Sequence, residues 1–114
     1  MANRTIKIYK SYFNEFYVEQ TEAVRRKINY CLSAVKTLDR IPSSILKNIV
    51  GSDGLYEIRV ESGSNIFRIF CCFDEGSIVV LFHGFQKKTQ KTPKSQISKA
   101  EKLMKEYYEE KQNG

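Results

Sequence analysis

Polar and apolar residues alternate in RTIKIYK (residues 4–10), and this period of two predicts a short strand near the start of the chain. A short helix is expected over residues 13–18. The period then changes. Val24, Ile28, Cys31, Leu32, Val35 and Leu38 recur at helical spacing, while Arg25, Arg26, Lys27, Asn29 and Lys36 lie off that stripe. An amphipathic helix is predicted there, ending before Pro42. Beyond the break at Gly51 and Gly54 come three strand-like runs, LYEIRVE, NIFRIFCCF and SIVVLFHGF, joined by SGSN and DEGS. In the last segment Thr92 suits an N-cap and Pro93 the first helical position, and Ile97, Ala100, Leu103, Met104 and Tyr107 form an apolar stripe. The pattern implies the α+β class. A small antiparallel sheet, made of an N-terminal strand plus a three-stranded meander, packs against helices on one face. One domain over residues 1–114 is expected.

Turn chemistry sets the register of the meander. Ser62-Gly63-Ser64-Asn65 fits a two-residue loop with glycine first, which places Arg59 directly opposite Arg68. If Glu75 and Gly76 are the central pair of the next turn, Arg68 also lies opposite His83. A three-residue loop would shift that pairing by one. With the period of two, Tyr56, Ile58, Val60, Phe67, Ile69, Cys71, Phe73, Ile78, Val80 and Phe82 make an apolar core face. The other face carries Glu57, Arg59, Glu61, Ile66, Arg68, Phe70, Cys72, Leu81, His83 and Phe85. Two arginines directly opposite repel each other. Either an anion binds between them, or Glu57 and Glu61 neutralise them as a surface ladder.

Charge sharpens this. The 114 residues hold 19 Lys and Arg against 13 Asp and Glu, a net charge of +6. The excess is segregated. Arg4, Lys7 and Lys10 stand among the first fourteen residues without an acid, and Lys87, Lys88, Lys91, Lys94 and Lys99 stand in residues 83–100 without an acid. Such segregation points to a polyanion such as nucleic acid, against the alternative of a merely solvated lysine face. Lys87 and Lys88 extend beyond the end of the arginine row, and Lys91 and Lys94 continue toward the last helix, so the four are expected to form the rim of a phosphate-binding surface. Three cysteines, Cys31, Cys71 and Cys72, are too few for a disulfide framework and fit small buried residues in a reducing, cytoplasmic setting. No apolar run is long enough to span a membrane, and no apolar leader opens the chain. No cofactor or metal is expected, since neither a cluster of His, Cys, Asp and Glu at metal spacing nor a glycine-rich phosphate loop occurs.

GLYEIRV (residues 54–60), NIFRIF (65–70) and VLFHGFQKKTQKTPKSQISKA (80–100) are similar to the RelE/HigB superfamily of bacterial toxins, nearest to its phage-derived HigB-like branch. The first fifty residues agree in layout only. The resemblance implies a RelE-like fold, ribosome-dependent cleavage of mRNA without a metal, and a cognate antitoxin, often a helix-turn-helix protein. Carried over by position, Arg59 and Arg68 match basic strand residues that contact the scissile phosphate. Lys87 and Lys88 match basic residues at the end of the last strand, and His83 occupies the position before Gly-Phe. The chain departs from relatives that use two histidines or a C-terminal tyrosine: it has one histidine, and Tyr107 and Tyr108 fall deep in the last helix. The general acid and base therefore stay unassigned.

Cleavage of RNA by its own 2′-hydroxyl needs a base, an acid and cations that stabilise the developing charge. Arg59 and Arg68 suit the last role, since guanidinium groups pair with phosphate in a bidentate way. His83 has the ordinary pKa for acid or base work, or is a plain half-buried residue, and a lysine among lysines can donate a proton. The competing functions are a ParE-like inhibitor that binds DNA gyrase without catalysis, and a nucleic-acid-binding module without activity.

Overall fold

The structure is a computed structural model and describes residues 2–114. The elements run β1 (Thr5–Ile8), α1 (Tyr12–Val18), α2 (Glu22–Thr37), β2 (Leu46–Asn48), β3 (Leu55–Ser62), β4 (Asn65–Asp74), β5 (Ile78–Lys87) and α3 (Lys94–Asn113). The strands form one sheet in the order β1-β5-β4-β3-β2, antiparallel except for β1, which lies parallel to β5. The class is α+β and is compatible with a RelE-like fold, as expected.

Local chemistry explains the helix ends. The Thr21 hydroxyl accepts the Val24 N–H at 3.3 Å and caps α2. At the other end the Arg4 guanidinium donates to the carbonyls of Val35 at 2.9 Å and Leu38 at 2.7 Å. Thr92 does not cap α3. The cap position is Pro93, with no side-chain bond, and the Thr92 hydroxyl donates to Glu57 instead.

The helices cover both faces of the sheet, not one. Against α1 and α2 lie Ile58, Val60, Phe67, Ile69, Cys71, Val79 and Leu81. Against α3 lie Leu55, Phe70, Cys72, Val80 and Phe82. The reason is visible in the runs themselves: IFCCF and IVVLF are nearly continuous in apolar residues, the mark of strands buried on both sides. Cys71 and Cys72 point to opposite faces, and all three cysteines are buried and unpaired. An additional edge strand, β2, has only three residues, too short for periodicity to register.

The β3–β4 hairpin has the expected register. Gly63 takes φ +61°, Ser62 faces Asn65, and Arg59 faces Arg68. The β4–β5 hairpin does not. Asp74 pairs with Ile78 across a three-residue loop, in which Glu75 takes φ 53° and Gly76 φ 78°. Farther on, Ile69 pairs with Gly84 while Cys71 pairs with Leu81, so Phe82 and His83 share Phe70 in a β-bulge. Arg68 accordingly faces Phe85, not His83. The extra loop residue turns Ile78, Val80 and Phe82 toward α3 and Leu81 toward α2, the reverse of expectation. The bulge adds a second one-residue shift. Parity is thereby restored, and His83 and Phe85 reach the expected face.

The far end of α3 is fixed by a buried carboxylate. Asp74 accepts from Tyr107 Oη at 2.6 Å and from Lys111 Nζ at 2.9 Å. These bonds, Lys111 first, hold the Asp74 pKa below its ordinary value, while burial, and after it the bond to Asp74, raises that of Tyr107.

Candidate functional site

Alternation along β3 puts Glu57, Arg59 and Glu61 on the side of the sheet that faces α3. Ile66, Arg68 and Phe70 of β4 and His83, Phe85 and Lys87 of β5 share that side. Cross-strand pairing arranges them in rows: Glu61–Ile66–Lys87, then Arg59–Arg68–Phe85, then Glu57–Phe70–His83. At the sheet's other edge Lys47 of β2 pairs with Glu57.

The opposed arginines are held together by one acid. Glu57 Oε2 lies 3.6 Å from Arg68 Nε, and its Oε1 lies 3.9 Å from Arg59 Nε. Glu57 is buried and also accepts the Thr92 hydroxyl at 3.3 Å. Glu61, the other flanking acid, is exposed. The Arg68 side chain is buried, donates from Nη1 to the Phe67 carbonyl at 3.1 Å, and has no hydrogen-bond partner at Nε. Burial lowers its pKa, against the pull of Glu57. Lys87 is half-buried nearby. Desolvation lowers its pKa, and the Arg68 charge lowers it further, with lesser effects of Arg59 and Lys47.

His83 is one row removed from the arginines, packed on Phe70 with ring centroids 5.1 Å apart. Its Nε2 lies 2.9 Å from Gln96 Oε1 on the first turn of α3, and its Nδ1 has no partner. Desolvation pushes its pKa down to about 4, so native His83 is neutral at pH 7. Phe85 stacks on Phe70 at 5.7 Å with 17° between the rings. The fold therefore gathers Arg59, Arg68 and Lys87 around Glu57, and sets His83 beside them behind two aromatic rings. Lys88 is exposed and lines a cleft with Lys87, Ser64, Asn65 and Gln90. Lys91 and Lys94 are exposed on the approach to α3.

The N-terminal charges are engaged elsewhere. Arg4 caps α2, Lys7 lies over the Tyr107 ring at 5.0 Å, and Lys10 pairs with Glu106 at 3.3 Å. Sequence reasoning treated Glu57 only as a neutraliser, although its place on the arginine face was legible. It missed Lys47, because the strand that carries Lys47 leaves no signal, and it assigned Thr92 and Gln96 no part in the site.

A sequence model of the phage-derived Gp49-like proteins (DUF891) matches residues 15–105, from α1 to the middle of α3 and across the whole cluster. The chain belongs to this family. Gp49-like proteins are toxin-like and related to RelE/HigB, so membership implies an antitoxin partner. No curated protein matches the chain. Among the described residues of this Gp49-like chain no helix is long and apolar enough to cross a membrane.

Proposed function

We propose that this Gp49-like protein is the mRNA endoribonuclease of a toxin–antitoxin module, of HigB-like type, acting on mRNA in the ribosome. One observation carries the reading: a buried carboxylate, Glu57, is held between two arginines, with Lys87 half-buried at the edge of the same patch. In that arrangement a proton acceptor stands next to the cations that hold a phosphate.

In the proposed reaction the RNA 2′-oxygen attacks the adjacent phosphorus, and Glu57 takes its proton. Arg59 and Arg68 bind the non-bridging oxygens as charge builds on them. The P–O5′ bond breaks, and the Lys87 ammonium, made more acidic by its surroundings, protonates the leaving oxygen. The products are a 2′,3′-cyclic phosphate and a 5′-hydroxyl. His83 is neutral at pH 7 and acts as a positioning group, holding the start of α3 through Gln96. Lys88, Lys91 and Lys94 draw the protein to RNA and ribosome phosphates.

The test is cleavage of translated mRNA, mapped by its 5′ ends, for wild type and Arg68→Ala. Wild type should cut only with ribosomes present, and the variant should lose on the order of 10² to 10³ in rate, the effect of one charge-stabilising donor. Equal cutting by the two removes Arg68 from the site. A DNA-damage response without mRNA cleavage favours the non-catalytic gyrase inhibitor instead.

A further inference from the structure

β1 pairs with β5 only as far as Leu81. From residue 82 onward β5 has a strand on one side alone, and α1 closes against the free edge, with Phe16 on Gly84. Between α1, this edge and the start of α3 lies a cleft of about 340 Å³, whose walls include Tyr12, Glu15, Glu19, His83, Phe85 and Lys99. Gln86 lines both this cleft and the one that holds Lys87 and Lys88, so the two adjoin.

We propose, resting on the nuclease reading, that this cleft binds a guanine of the RNA next to the phosphate site. The Phe85 ring, stacked on Phe70 on one side, lines the cleft and offers an aromatic surface to an unstacked base. The polar groups then choose among bases. Glu15 and Glu19 accept hydrogen bonds, and Glu15 already takes one from the Ser11 hydroxyl at 2.6 Å. The buried His83 also lines the cleft and, with Gln96 Oε1 accepting from Nε2, leaves its Nδ1 without a partner. Lys99 is the one cation, poised over the Tyr12 ring at 4.6 Å, and the amides of Gln20 and Gln86 in the same wall can donate or accept. Guanine carries two adjacent donors, N1–H and the N2 amino group, beside the acceptor O6. Adenine and cytosine each offer one amino group flanked by a bare ring nitrogen, and uracil places one N–H between two carbonyls. A wall rich in acceptors with a single cation matches guanine and leaves the other three with unmet groups. A cationic ligand is disfavoured because Lys99 already occupies the aromatic face.

The full chain, isotopically labelled, is titrated by NMR with GMP, AMP, CMP and UMP, and the phosphate common to all four cancels in the comparison. GMP is expected to shift Glu15, Glu19 and residues 83–86, and to bind about tenfold or more tighter than the others, the discrimination of one well-made bidentate pair. The surface variant Glu15→Gln/Glu19→Gln should lose that preference. Equal binding of the four nucleotides, shifts confined to other surfaces, or a preference retained in the variant would overturn the proposal. Mapped cuts in translated mRNA provide a second readout. Guanine enriched at a fixed position beside the cut in wild type but not in the variant supports the cleft. Identical cut sites in both overturn it and leave the nuclease reading standing. GMP selectivity without any cleavage supports the cleft and sinks the nuclease reading alone.

Discussion

Acidification below pH 6.5 should destabilise this protein through His83. The ring is 2% exposed, packed on Phe70, and its pKa is lowered from 6.5 to about 4, chiefly by desolvation and partly by the Lys99 charge. The group's native pKa lies below its unfolded one, so the unfolded chain binds a proton that the native chain refuses. Stability is therefore full above pH 6.5, falls as the pH drops, and stops falling from this source near pH 4, where native His83 also protonates. At about 1.36 kcal/mol per pH unit, the window is worth roughly 3 kcal/mol, a large share of a small domain's stability. Asp74 acts in a different window: its lowered pKa makes its contribution fade only as the pH falls below about 4. Urea denaturation at half-unit steps from pH 7 to 4 measures the slope, and His83→Gln should remove the His83 part of it. The chain has a single histidine, so its imidazole NMR signals report the site without ambiguity. A native titration midpoint near 6.5, or a His83→Gln variant whose slope matches wild type, would refute the buried neutral imidazole.

Glu57→Gln keeps the shape of the side chain but removes the base and one negative charge from the patch, so RNA should bind at least as tightly while cleavage falls roughly 10²- to 10⁴-fold; unchanged cleavage removes Glu57 from the chemistry. Gly84→Ala should lower stability by about 1 to 3 kcal/mol in urea melts, since a Cβ would stand 2.5 Å from a carbon of the buried Phe16 ring; a wild-type melt would mean that α1 packs elsewhere. Replacing Lys88, Lys91 and Lys94 with Gln should flatten the dependence of log ribosome affinity on log salt by somewhat less than one unit for each of these lysines that neutralises a phosphate, with little change in stability. Parallel lines would leave those lysines as a solvated face.

What the sequence made legible tracks how locally each feature is determined. The pairing of Arg59 with Arg68 follows from one glycine in a two-residue loop, and it was readable. The pairing of Arg68 with Phe85 depends on a loop in which Glu75, not a glycine, takes a positive φ, and on a bulge at His83 that no residue type announces. Two such shifts cancel in parity. His83 therefore sits on the expected face for a reason the alternation did not contain, while Leu81 and Phe82 exchange sides. Burial was the harder quantity. Glu57 was placed on the right face, but nothing along β3 shows that Thr92, 35 residues later, reaches back to it.

Lys47, Arg59, Arg68 and Lys87 set four positive charges against the two acids of the same face, Glu57 and Glu61, so the patch keeps a surplus even with both carboxylates ionised. That surplus supports, under the nuclease reading proposed above, an anion between the arginines over a merely neutralised ladder. If Glu57 and Glu61 served only to neutralise the arginines as a surface ladder, the pairs could stay exposed, and none of them would need to leave water. Instead Arg68 and Glu57 are both withdrawn from solvent, where an unmatched charge is costly. The residual positive charge is shared with the half-buried Lys87 and the adjoining Lys47. A phosphodiester would offset part of that surplus, and in the proposed reaction its 2′-hydroxyl meets a carboxylate that can take a proton. On the proposed mechanism, the same acid that offsets the repulsion between Arg59 and Arg68 is also the base. The proposed mechanism thus couples stability and chemistry through Glu57, and it gives the exposed lysines beyond it a longer-range role that should respond to salt.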